Sequence, residues 1–212
     1  MFDLNTIKES IISGNLSQAE ELTQSALEAG VTAKEILDGS LVPALDEVGR
    51  KFQAGEYFFP ELLVAGEATR VAMERLKPEL SRSGAPTMGK YAIGTVKGDI
   101  HDIGKNIVIM MLEGNGWEVT DLGTDVSTEK FCEVVKEGDY KILGLSALLT
   151  TTIPRLAETM DALKEGGLRE KVKVMVGGVS INQEYADQIG ADAYGKDAFE
   201  AVIKARALAG KS

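Results

Sequence analysis

Over residues 1–80 the apolar positions recur at helical spacing. Leu4, Ile7, Ile11 and Ile12 mark one face of a first helix, and Leu37, Leu41, Leu45, Val48 and Phe52 mark a later one. Between them, Ser17 with Glu20 predicts a capping box that opens a second helix, and Gly30 closes it. Thr32 with Glu35 predicts another box. Pro43 predicts a kink, because its ring removes the bond to the carbonyl of Gly39. Pro60 suits the first turn of a fourth helix through Leu63 and Met73 to about Leu80. Four helices with short connections predict a four-helix bundle.

Ser81-Arg82-Ser83-Gly84-Ala85-Pro86-Thr87-Met88-Gly89 reads as a linker by composition, and beyond it the period changes. Short β-type runs (Tyr91–Val96, Trp117–Leu122, Lys141–Leu145, Val172–Val176 and a brief Ala193–Tyr194) alternate with helical stretches near 103–115, 127–137, 153–166, 182–189 and 197–209. Such alternation predicts an α/β domain with a parallel, doubly wound, Rossmann-like sheet. The expected organisation is a helical domain over 1–80, a linker over 81–89 and the α/β domain over 90–212. Ligands of such sheets bind beyond the carboxyl ends of the strands, near the switch in strand order.

Composition narrows the function classes. A hydrophobic share of 44% in 212 residues is that of an ordinary globular chain. A net charge of −10 argues against nucleic-acid partners and an anionic membrane surface. No apolar run is long enough to span a bilayer, and Met1-Phe2-Asp3-Leu4 lacks the features of a secretory signal. Cys132 is the sole cysteine, which rules out an internal disulfide; its helical surroundings predict a packed thiol. The expected setting is the cytoplasm.

The chemistry concentrates at three places that follow predicted strands. Asp99-Ile100-His101-Asp102-Ile103-Gly104 holds the only histidine, between two carboxylates. A neutral imidazole offers one nitrogen to a metal while the other donates to a carboxylate, and Asp99 is placed for that second role. Taken alone, His101 equally reads as a surface histidine of an acidic protein. Ser146-Ala147-Leu148 and Gly177-Gly178 follow the third and fourth predicted strands. Each has a plainer reading: Ser146 satisfying a strand-end amide, the glycines turning the chain, Asp102 capping the next helix. Met110 and Met111 read as core and helix surface. A phosphate loop over Gly98–Asn106 fails on glycine spacing, on Asn106 where serine or threonine is needed, and on two aspartates that would repel phosphate.

Together, Asp99-x-His101-x-x-Gly104, Ser146-x-Leu148 and Gly177-Gly178 resemble the cobalamin-binding signature of methionine synthase and its relatives. Over essentially its whole length the chain is most similar to the small corrinoid proteins of methyltransferase systems for methylamines, betaines and methoxylated aromatics. The resemblance implies a flavodoxin-like five-stranded sheet of order 2-1-3-4-5 under an N-terminal four-helix cap. It implies a cobalamin or related corrinoid whose nucleotide tail enters the α/β domain, with His101 replacing the tail's base as the lower cobalt ligand. Asp99 matches the carboxylate bonded to that imidazole. Thr152 matches the third relay hydroxyl, a departure from the serine of methionine synthase that restricts the rotamer. Gly98, Ile100, Asp102 and Gly104 share the histidine loop and are expected cofactor contacts. Ser146, Leu148, Thr150, Gly177, Gly178 and, more loosely, Ala198 match positions around the tail. Phe52, Phe58, Phe59 and Leu62 match the apolar cap that covers the methyl group.

The resemblance implies a carrier of methyl groups on cobalt, a component of a multi-protein system rather than a complete enzyme. Its expected partners are a substrate:corrinoid methyltransferase, a second methyltransferase delivering to tetrahydrofolate or coenzyme M, and a reductive activase. The alternatives are the cobalamin subunit of a mutase, a cobalamin-based sensor and a cobalamin store. The methyl donor, the acceptor, the corrinoid's lower base and the oligomeric state stay open.

Overall fold

The computed structural model describes residues 2–83 and 88–210. Two compact units emerge, Met1–Thr87 with Met110–Gly116, and Met88–Ile109 with Trp117–Ser212.

In the first unit, α1 (Leu4–Ile12) is capped by Asp3, which accepts from Asn5 N at 3.0 Å. The next helix, α2 (Leu16–Glu28), is capped by Asn15, whose side chain accepts from Gln18 N at 3.2 Å. The expected box of Ser17 and Glu20 does not form, because asparagine caps as well as serine and lies two residues earlier. Gly30 ends α2 at φ +85°, as expected of a glycine just past a helix. The Thr32–Glu35 box is present with both reciprocal bonds and opens α3 (Ala33–Ile36). A π-helical segment, Leu37–Leu41, joins α3 to α4 (Val42–Gln53). Pro43 therefore does not kink an α-helix interior. The chain widens before it, with Val42 N bonded to Leu37 O, and Pro43 falls in the first turn of α4, where its missing donor is not needed. The last helix of the unit, α5 (Phe59–Ser83), runs past the expected end near Leu80, and an Arg82–Glu79 pair at 3.1 Å lies in its final turn. Of the expected linker, Ser81–Ser83 are thus helical, Gly89 opens the first strand, and 84–87 lies outside the described residues. Helices α2 and α5 pack together, and both bury small residues: Ala19, Thr23 and Ala26 on one, Ala65, Ala68 and Ala72 on the other.

The second unit alternates strand and helix as the sequence predicts, with bounds shifted by one or two residues. Its strands are β1 (Gly89–Thr95), β2 (Trp117–Asp121), β3 (Ile142–Ser146), β4 (Lys173–Gly177) and β5 (Ala193–Gly195). Its helices are α6 (Ile103–Gly114), α7 (Thr128–Glu137), α8 (Pro154–Glu165), α9 (Gln183–Ile189) and α10 (Ala198–Leu208), and the division between the units falls within α6. The sheet is wholly parallel in the order β2-β1-β3-β4-β5, the expected one. Its core packs Leu143, Leu145, Val174 and Val176 with Phe131, Leu156 and Met160. Cys132 packs half-buried against that core, and burial pushes its thiol pKa up. At the start of β2, Trp117 is buried edge-on to Tyr91, with ring centroids 5.7 Å apart, and its Nε1 has no hydrogen-bond partner among the described residues. No helix among the described residues is long and apolar enough to cross a membrane.

A half-buried carboxylate fastens β4. Asp192 accepts from Val174 N at 2.8 Å, Arg169 at 2.6 Å and Lys173 at 3.0 Å. Burial alone would raise its pKa, but these donors outweigh burial and hold it below the usual carboxylate value. A depressed folded-state pKa gives stability that is present above the unfolded value, about 3.9, and is lost as pH falls below it. Asp192→Asn is expected to lower the unfolding free energy at pH 7 by about 1–3 kcal/mol. In denaturant titrations the gap from wild type should hold above about pH 5 and shrink below about pH 4. A gap independent of pH would show that the charge contributes nothing.

Candidate functional site

The strand order reverses between β1 and β3, and the loops leaving these two strands meet at one carboxylate. The 96–102 loop carries His101 to the start of α6, and the 147–153 loop leads from β3 to α8. Asp99 is fully buried between them. Its Oδ1 accepts from His101 N at 3.1 Å and stands 2.7 Å from His101 Nδ1. Its Oδ2 accepts from Thr152 Oγ1 at 2.7 Å, Leu148 N at 2.8 Å and Leu149 N at 3.2 Å. Burial pushes the Asp99 pKa up, but the Thr152, Leu148 and His101 donors together hold the carboxyl well below the usual carboxylate range. An ionised Asp99 has no proton to give, so Nδ1 is the protonated ring nitrogen, and in the neutral imidazole the lone pair then lies on Nε2. The imidazole itself is 47% exposed. The outcome is a ring fixed in tautomer and orientation, with an available ligand nitrogen.

Asp99, His101 and Thr152 therefore form one connected chain, through the two loops that the sequence singled out. Gly98 turns the histidine loop at φ +83°. Asp102 stands just ahead of α6; its backbone carbonyl accepts from Asn106 N at 2.8 Å, while its carboxylate accepts from the Asn106 side-chain amide at 3.2 Å. Ser146 ends β3, where its carbonyl accepts from Val96 N at 3.0 Å and its hydroxyl makes no hydrogen bond among the described residues. Thr150 is exposed on the same loop, and Leu148 contributes its amide to Asp99. Ala198 is buried at the start of α10.

The paired glycines separate. Gly178 has φ +146°, and a Cβ there would stand 1.8 Å from the Ala147 carbonyl oxygen, so the backbone itself demands glycine. At Gly177 the nearest atom to an added Cβ is Gly195 O at 3.4 Å, an ordinary contact, and at Gly104 nothing lies within 4 Å. The folded chain has no steric need of glycine at these two positions.

Ile100, Ile103, Leu149 and Val179 are exposed apolar side chains on the loops after β1, β3 and β4 and at the start of α6. Ile103, Leu149 and Val179 were not singled out in the sequence; the available signal is large apolar side chains in post-strand loops, where turns are usually polar. In the helical unit Phe58 and Phe59 are 66% and 46% exposed, Phe52 is half-buried, and Leu62 is 4% exposed. Leu62 is thus part of the bundle core rather than of an exposed apolar surface, although Phe59, Leu63 and Val64 of the same turn are exposed.

The site fits a metal that arrives with its other ligands. Among the described residues no cluster of three or more histidine, cysteine or carboxylate groups exists to hold a bare ion. One oriented imidazole, an apolar rim and two sterically open glycines suit a macrocyclic metal complex with a tail. Comparison with known proteins agrees. Residues 89–203 match a family model described as a B12 binding domain, and residues 3–77 match a second model so described. The chain is 43% identical over 202 residues to a trimethylamine corrinoid protein of Methanosarcina barkeri, covering 94% of this chain and 93% of that protein. Among solved structures it resembles a cobalamin-binding protein from Desulfitobacterium hafniense, with a TM-score of 0.83, 35% identity and coverage of 98% and 99% of the two chains. It also resembles a chain of the methanol:cobalamin methyltransferase complex of Methanosarcina barkeri, with a TM-score of 0.82, 32% identity and coverage of 99% and 80%. The chain belongs to the B12-binding corrinoid proteins, and a corrinoid of the cobalamin type is its cofactor.

Proposed function

We propose that this protein is the methyl-carrying corrinoid component of a methyltransferase system, with His101 as the lower cobalt ligand. The observation that carries the reading is the fixed imidazole, with Asp99 on Nδ1 and Nε2 available. When bound, the corrinoid supplies a cobalt centre that takes a methyl group from a donor and gives it to an acceptor. The chain's residues do the rest. Asp99 keeps the proton at Nδ1, Thr152 Oγ1 and the Leu148 and Leu149 amides keep Asp99 in place, and Gly177 and Gly104 leave room for the corrinoid at the backbone. Phe58 and Phe59 give the helical unit an exposed apolar surface.

The relatives named for trimethylamine, and the resemblance to a methanol:cobalamin methyltransferase complex, support a substrate:corrinoid methyltransferase as the first partner. The second is a methyltransferase delivering to tetrahydrofolate or coenzyme M, with a reductive activase to recover oxidised cofactor. A cytoplasmic setting completes the reading. The test is to load the protein with cobalamin and mix it with substrate:corrinoid methyltransferases for each candidate donor. Methylamines, methanol, betaine and methoxylated aromatics are then offered in turn. At least one donor should change the corrinoid's absorbance and yield demethylated product in step with added protein. Binding of cobalamin without turnover of any donor would favour a store or sensor instead.

A further inference from the structure

The end of β2 and the loop from it to α7 tie down the histidine segment at both ends. At its start, Gly98 N donates to Asp125 Oδ1 at 2.8 Å, Lys97 Nζ stands 2.9 Å from Oδ2, and Asp125 N donates to the Asp99 carbonyl at 2.9 Å. At its end, Lys105 Nζ lies 2.7 Å from Asp121 Oδ1, and the lysine is buried. The same Asp121 oxygen accepts from Gly123 N at 2.9 Å, and Gly123 O accepts from Thr95 N at 2.9 Å. Thr95 in turn donates its hydroxyl to the His101 carbonyl at 3.1 Å. Asp125 alone among the described non-glycine residues has a positive φ, +56°. Aspartate tolerates this left-handed conformation better than most residues, and strain of this kind persists where the surroundings demand it.

We propose that Asp121 and Asp125 form a clamp that positions the His101 imidazole for cobalt. The proposal rests on His101 being the axial ligand. Ile100 and His101 are exposed, so core packing does not place this stretch of backbone. Asp99 orients the ring relative to the loop, and the clamp orients the loop relative to the sheet. Asp125 is a positioning residue: it bonds the Lys97 side chain and the backbone of Gly98 and Asp99 rather than the ring.

The chain holds a single histidine, so 15N-histidine labels His101 alone. The protein is loaded with cobalamin, reduced to its paramagnetic cobalt(II) form, and measured by electron-spin resonance with and without the label. Hydrogen exchange over 98–101 is measured on the corrinoid-free protein. Asp125→Gly relieves the backbone while removing the carboxylate; Asp125→Asn keeps an acceptor for Gly98 N. Asp125→Gly should lose most of the label-sensitive splitting, bind cobalamin about tenfold more weakly and exchange about tenfold faster, the order expected for lost charge-assisted hydrogen bonds. Asp125→Asn should restore the splitting. Wild-type splitting and affinity in Asp125→Gly would overturn the clamp, even with faster exchange, because the loop would then serve folding alone. Splitting insensitive to the label in the wild type would overturn the axial assignment and the clamp with it. Exchange needs no corrinoid, so it tells that failure from failure of the clamp.

Discussion

His101→Ala is expected to fold, to bind cobalamin at least about tenfold more weakly, and to show no histidine nitrogen in its cobalt(II) spin spectrum. The ring is half exposed, so its loss lowers stability chiefly through the Nδ1 hydrogen bond to buried Asp99, by about 1 kcal/mol. Asp99 keeps the Thr152 hydroxyl and the Leu148 and Leu149 amides, so the two loops stay joined. Asp99→Ala should behave differently. It leaves the part-buried Leu148 and Leu149 amides without their acceptor and the Thr152 hydroxyl with only the Leu149 carbonyl, costing about 2–4 kcal/mol of stability as well as about 10–100-fold in affinity. Thermal melting of the corrinoid-free variants and cobalamin titration separate the two patterns. A persistent nitrogen signal in His101→Ala would mean that the cofactor's own base is the ligand.

The adjacent glycines should part company when each is replaced by valine. Gly178→Val forces a β-branched side chain onto a backbone that only glycine adopts easily, and into the Ala147 carbonyl. A destabilisation of about 3 kcal/mol or more is expected, enough to depress folding without any reference to the cofactor. Gly177→Val ends a parallel strand with a residue that favours strands, and its Cβ meets only the Gly195 carbonyl at ordinary distance. The corrinoid-free protein should therefore melt within a few degrees of wild type while cobalamin affinity falls at least about tenfold, since valine fills the space assigned to the ligand. Wild-type affinity in Gly177→Val would remove this glycine from the binding site.

Much of this was legible because it is local. Strand and helix periods in the α/β half depend on burial of one or two faces, and the structure moves their ends by only a residue or two. Thr152's place beside Asp99 and His101 was legible only through the resemblance to methionine synthase, because Thr152 reaches Asp99 across the sheet's switch point. Other features belong to tertiary structure. Ser17 and Asn15 are both competent caps, and only the packing of α2 decides between them. The widened turn before Pro43 is a choice among several ways to avoid a missing donor. Nothing in the run Asp121–Asp125 announces that one aspartate takes a left-handed backbone or that the other receives a buried lysine from α6. Gly177 and Gly178 look alike in sequence; what separates them is the Ala147 carbonyl of a neighbouring loop.

The buried indole of Trp117 gives the protein an internal reporter. It is the single tryptophan of the chain and sits in the α/β unit, so its fluorescence follows the melting of that unit alone. Far-ultraviolet circular dichroism weights the helical unit more heavily. Coincident curves from the two probes would mean that the units unfold as one cooperative body, and separated curves would resolve the stability of each without cutting the chain.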